Sequence, residues 1–158
     1  MHTPISALLK RRSVPPVTVT RDVSVLDAVR EMNKQSTGSV LVLEGQRLIG
    51  IFTERDVLTK VVAAEVDPSV HLVGDVMTAN PATLPPDATV HDALELFNRL
   101  HCRHMPVVDG DGVIGMLSIR DVSAWLVEAH REEAEQLKQY ISGGYSSFPP
   151  PAWGDGAL

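Results

Sequence analysis

From Asp22 to Val57 the chain runs in register with Asp87 to Val122, at a constant offset of 65 residues and without a gap. Asp22, Val25, Asp27, Ala28, Asn33, Val42, Gly45, Ile49, Gly50, Arg55, Asp56 and Val57 all recur at that offset. A repeat of this fidelity restricts the fold more than any single motif does. Each copy must build the same supersecondary unit, and two such small units complete their core by packing on one another.

Within each copy the same order of signals appears. Ser24-Val25-Leu26-Asp27 and Thr89-Val90-His91-Asp92 are helix starts, with a capping hydroxyl and an acid in the first turn. The apolar positions Val25, Ala28, Val29 and Met32, against Val90, Ala93, Leu94 and Phe97, follow the i, i+3, i+4, i+7 stripe of a helix with one buried face. Strands are expected at Val40–Leu43 and Met105–Val108. Turns at Glu44-Gly45-Gln46 and 109–112 lead into second strands, so each copy contains a hairpin. A short helix and a brief strand precede each copy: Ile5–Leu9 then Val17–Val19, and Val73–Met77 then Ala82–Leu84.

The second strands end in matched heptapeptides, Gly50-Ile51-Phe52-Thr53-Glu54-Arg55-Asp56 and Gly115-Met116-Leu117-Ser118-Ile119-Arg120-Asp121. A hydroxyl followed three residues later by an acid is the pattern of a capping box, in which side chain and backbone of the two positions satisfy one another. A helix N-terminus also attracts phosphate, and an aspartate is the usual acceptor for vicinal ribose hydroxyls. Both readings use the same atoms. Arg55 and Arg120 either reach phosphate or lie along the first helical turn, where long side chains often cover apolar neighbours.

Composition narrows the function. At 158 residues and 44% hydrophobic content, the chain suffices for one packed domain or two halves sharing a core. A net charge of −6 makes duplex nucleic acid an unsuitable partner, so an anionic ligand must be held by local cations. The single Cys102 excludes an intramolecular disulfide and a thiolate metal cluster; it reads as a small filler on the approach to a strand rather than a redox-sensing thiol. His101-x-x-His104 offers two metal ligands, with no third in view. There is no apolar run of membrane-spanning length and no signal-peptide core ahead of Lys10-Arg11-Arg12, and a cytoplasmic protein is expected. No glycine-rich phosphate loop and no compelling nucleophile–base pair is present, so an enzyme is not expected.

The repeated Gly-apolar-apolar-(Ser/Thr)-x-x-Asp, together with Arg103-His104-Met105-Pro106-Val107-Val108-Asp109, resembles a tandem cystathionine β-synthase (CBS) domain pair, a Bateman module. The resemblance covers roughly Ile5 to Leu126. It implies an α+β fold of two βαββα units packed with pseudo-twofold symmetry, with clefts that take adenosine-containing ligands: AMP, ADP, ATP, NAD or S-adenosylmethionine. Carried over by position, Asp56 and Asp121 would hold ribose hydroxyls, and Thr53 and Ser118 would contact ribose or phosphate. Thr18 and Thr83 would border the adenine, with Val40, Met105 and Pro106 as its wall. Arg103 and His104 would meet phosphate, with Arg55 and Arg120 beside them. The first copy departs from the pattern, since Gly38-Ser39-Val40-Leu41 stands where the second has Arg103-His104-Met105-Pro106. The resemblance further implies a regulatory homodimer with an unidentified target protein. The alternative is a constitutive interaction module with vestigial clefts. The expected divisions are 1–68 and 69–129 for the two motifs, 130–144 for a helical extension, and 145–158 for a flexible tail.

Overall fold

A computed structural model of the chain describes residues 3–11 and 15–144, the last four as backbone alone. The stretch 145–158, expected as a flexible tail, lies outside the described residues. Two compact units divide the chain, Met1–Val122 and Ser123–Leu158.

The first unit is α+β. Helix α1 (Ile5–Arg11) and strand β1 (Thr18–Thr20) precede helix α2 (Val25–Lys34), and strands β2 (Ser39–Glu44) and β3 (Arg47–Thr53) form the first hairpin. Helix α3 (Glu54–Asp56) continues into a π-helical segment, Val57–Val62, and is followed by helix α4 (Val73–Val76) and strand β4 (Thr78–Ala79). The second copy supplies helix α5 (Val90–Leu100), strands β5 (His104–Asp109) and β6 (Gly112–Ser118), and the start of helix α6 (Ile119–Gly144). The segment Val57–Val62 is a π-helix, with the Ala63 N–H donating to the Leu58 carbonyl five residues back.

The repeat is visible in backbone detail. Both hairpins shift register at the same place, between Val42 and Leu43 and between Val107 and Val108, and both turn through a positive-φ glycine, Gly45 and Gly110. Both long helices are followed by a non-glycine residue at positive φ, Ser36 and His101.

One expected strand is missing. β1 pairs parallel to β2, with the Leu41 N–H donating to the Val17 carbonyl at 2.9 Å. The position matching Leu41 is Pro106, which has no N–H to give, and Pro85 follows Leu84 where Thr20 follows Val19. The expected strand Ala82–Leu84 therefore shrinks to a single parallel bridge, Leu84 to Val107. The first sheet has the order β1-β2-β3-β4 and the second is the β5-β6 hairpin.

The lead helices cross over. α1 is bonded to the approach to α5, through the Ile5 N–H to the Ala88 carbonyl at 2.8 Å and the Val90 N–H to the Thr3 carbonyl at 3.1 Å. α4 is bonded to the approach to α2, through the Val73 N–H to the Val23 carbonyl at 2.8 Å and the Val25 N–H to the His71 carbonyl at 2.9 Å. This exchange crowds the recurring strand glycine. A Cβ at Gly115 would come within 2.9 Å of Leu9 Cδ2 on α1, and one at Gly50 would collide with Met77 just after α4.

The main core of the first copy packs Val25, Ala28 and Met32 of α2 against Val40, Val42 and Phe52 of the sheet. On the opposite face, Leu41, Ile51 and Met116 form a second cluster that joins the two sheets. The second unit, taken by itself, is helical through Gly144. It carries an ion pair between Arg131 and Glu135 at 3.2 Å and leaves Val127, Leu137 and Tyr140 exposed. Among the described residues no helix is long and apolar enough to cross a membrane.

Candidate functional site

Strand β3 stops at Thr53 because the chain turns there into α3, and the turn is closed by a capping box. The Thr53 N–H donates to Asp56 Oδ2 at 2.9 Å and the Thr53 hydroxyl to the same oxygen at 3.1 Å, while the Asp56 N–H reaches Thr53 Oγ1 at 3.4 Å. The second copy repeats this, with Ser118 N–H and Oγ on Asp121 Oδ2 at 2.8 and 2.5 Å. Both heptapeptides therefore close as capping boxes.

Asp56 has further partners. Its other oxygen, Oδ1, pairs with Lys60 Nζ at 2.9 Å and accepts a long bond of 3.5 Å from the Thr78 hydroxyl, which in turn accepts from Lys60 at 3.2 Å. Asp56 is 7% exposed, and the i, i+4 lysine offsets the cost of burying its charge. Trp125 stands at the position matching Lys60, so this ion pair belongs to the first copy alone.

A cleft of about 560 Å³ opens beside Asp56. The first copy contributes Gly38, Thr53, Glu54, Arg55 and Asp56, and the second contributes Arg103 and His104. Two backbone bonds at matching positions shape the two sides of the repeat: Glu54 N–H to the Gly38 carbonyl at 3.0 Å and Ile119 N–H to the Arg103 carbonyl at 2.9 Å. Arg55 ties the copies together, donating from Nη1 to the carbonyl of His101 at 2.7 Å. The apolar part of the wall is Ile51, Leu58, Pro81, Ala82 and Leu100. Leu58 and Leu100 are 64% and 44% exposed and offer apolar surface that a ligand in the cleft would cover.

The structure thus brings together Thr53, Arg55, Asp56, Arg103 and His104 of the sequence candidates. The others do not line this cleft. Val40 and Met105 are buried, Val40 packing in the core against α2, and Pro106 is buried on β5. Thr18, Thr83 and Arg120 are exposed elsewhere, and Ser118 and Asp121 form their own cap. Sequence reasoning missed Glu54, Leu58, Thr78, Pro81 and Leu100; Glu54 and Leu58 flank the heptapeptide's aspartate, and their proximity to it was the available signal.

Cys102 also lines the cleft, and burial pushes its thiol up, against the opposing pull of a backbone hydrogen bond and Arg55. It is therefore a poor nucleophile but a well-placed reporter. Among the described residues no group of three or more His, Cys, Asp or Glu is placed to hold a metal ion.

Comparison with known proteins agrees with this architecture. The family profile of the CBS domain matches residues 6–63 and again residues 73–128. CBS domain-containing protein CBSX3, mitochondrial, of Arabidopsis thaliana is 40% identical over 131 residues, which are 80% of this chain and 64% of that protein, so the match spans less than two thirds of the relative. A solved CBS-domain protein from Burkholderia ambifaria superposes with a TM-score of 0.75 at 30% identity, over 80% of this chain and 95% of its own. Another, from Pyrobaculum aerophilum and complexed with AMP, gives a TM-score of 0.67 at 28% identity over 75% of this chain and 89% of its own. The chain belongs to the CBS-domain family and carries two CBS domains in tandem.

Proposed function

We propose that this CBS pair is a non-enzymatic regulatory module that binds an adenosyl ligand in the cleft beside Asp56. One observation carries the reading: the Asp56 carboxylate from the first copy and Arg103 and His104 from the second line the same 560 Å³ space. The AMP held by the Pyrobaculum aerophilum relative supports the ligand class. In this reading Asp56 Oδ1 exchanges its long bond from Thr78 for a ribose hydroxyl. Arg103 and His104 take the phosphate, and the base lies against Leu58, Pro81, Ala82 and Leu100. A ligand so held bridges the two copies and stabilises their packing, which is the signal a target protein reads.

The saturated capping box favours a second reading, in which Asp56 is purely structural and the module is an interaction platform. A thermal-shift panel of adenosine, AMP, ADP, ATP, NAD and S-adenosylmethionine, with GTP as control, separates the two. At a hundredfold excess over Kd, binding adds about 2.7 kcal/mol, a rise on the order of 5–10 °C for a chain of this size. The same ligands should slow alkylation of Cys102 by iodoacetamide, and with a single cysteine the adduct is unambiguous. Neither a shift nor protection at millimolar ligand would leave the platform reading standing.

The module acts, in this proposal, as a homodimer. Val62, on the π-helical segment and outside the cleft lining, is 64% exposed, and a second copy would cover it. Light scattering should give twice the chain mass; a monomer would refute it.

A further inference from the structure

The two copies differ in charge at two positions that meet in space. The second copy has Arg103 and Ile119, and the first has Gly38 and Glu54. Equivalent backbone hydrogen bonds, Ile119 to Arg103 and Glu54 to Gly38, hold the two pairs on the same scaffold, so the difference is one of side chains alone. A Cβ on Gly38 would lie 3.1 Å from Glu54 Cδ and Oε2, and 3.2 Å from His104 Cε1. The Glu54 carboxylate therefore occupies the space that glycine leaves open, the His104 ring borders that same space, and all three residues line the cleft. Where the repeat would place a second cation, the first copy places an anion.

We propose that Glu54 is a specificity-determining residue that restricts the cleft to ligands of low negative charge, adenosine or AMP, and disfavours ATP. The inference rests on the adenosyl reading above and names the ligand within it. A carboxylate in the space that His104 borders offsets the attraction of the second copy's basic pair for phosphate. It also repels each added phosphate charge, while Arg103 and Arg55 are the cleft's remaining cations, since Lys60 is paired with Asp56.

The test measures adenosine, AMP and ATP binding by calorimetry, in chelator so that no metal masks the phosphates, for wild type and Glu54→Gln. Glutamine keeps the size and hydrogen-bonding reach of the side chain and removes its charge. The preference for AMP over ATP should fall by about three- to tenfold, with adenosine unchanged, given the Coulomb cost of a like charge at this range near a protein surface. In wild type alone, the same preference should shrink as salt rises, because exposed charges are screened. An unchanged AMP/ATP ratio in the variant, or a ratio indifferent to salt, overturns the assignment. Equal changes for all three ligands also overturn it and make Glu54 a structural residue. A wild type that binds none of the three removes the adenosyl reading itself and this inference with it.

Discussion

Asp56→Ala should weaken an adenosyl ligand by about ten- to a hundredfold, the worth of a hydrogen bond to a charged group at roughly 1.5–3 kcal/mol. The same substitution should cost about 2–4 kcal/mol of stability. The second figure follows from what the carboxylate does without ligand. It accepts the Thr53 N–H and hydroxyl on one oxygen and Lys60 on the other, all from a position 7% exposed. Alanine removes the cap and leaves the Thr53 N–H without an acceptor in a part-buried site. Lys60, whose side chain is 39% exposed, can turn to water, so the loss stays below that of a fully buried ion pair. Asp121→Ala should show a comparable capping loss, because Ser118 and Asp121 repeat the same box. Urea unfolding gives the stability and calorimetry the affinity. A variant that loses stability but binds as tightly as wild type would reduce Asp56 to a cap.

The repeat was legible because its identities fall on positions that geometry cannot spare. The recurring glycine of β3 and β6 is pressed by Met77 and Leu9, the recurring turn glycine has positive φ, and the aspartate closes a box. Helices α2 and α5 could be read from one apolar stripe each. Where the sequence misled, several forces competed over the same residues. Val40-Leu41-Val42-Leu43 is an unbroken apolar run because Val40 and Val42 serve the helix side while Leu41 serves the other sheet, so no alternation tells which face is which. Val40 and Met105, expected on an adenine wall, are core residues for that reason. The missing strand at Ala82–Leu84 is a case of a side chain acting at a distance: Pro106, far along the chain, withdraws the N–H that would have paired with it. The crossing of α1 and α4 between copies leaves no local mark at all, since either short helix fits either half by pattern. Nothing in the local sequence marks Leu58 or Leu100 as cleft residues, and the fold is what exposes them there.

Arg103→Ala should penalise AMP by about ten- to a hundredfold and leave adenosine within about twofold, because a charge-assisted hydrogen bond to phosphate is worth roughly 1.5–3 kcal/mol and adenosine makes none. The position suits the comparison. Arg103 is exposed at the cleft, and its structural contribution, the carbonyl that accepts the Ile119 N–H at 2.9 Å, belongs to the backbone and survives the substitution. Lysine should restore part of the loss, as a point charge without the planar fork that engages two phosphate oxygens. The asymmetry of the copies makes the effect large. Gly38, the position that matches Arg103, carries no side chain, and the space beside it holds the Glu54 carboxylate, so the first copy supplies no cation at the matching position. Calorimetry with AMP and adenosine on wild type, Arg103→Ala and Arg103→Lys decides the matter. Equal weakening of both ligands would place Arg103 in the shape of the cleft and not on the phosphate, whereas an AMP-only loss with partial rescue by lysine fixes the direction in which the nucleotide lies, ribose toward Asp56 of the first copy and phosphate toward the second.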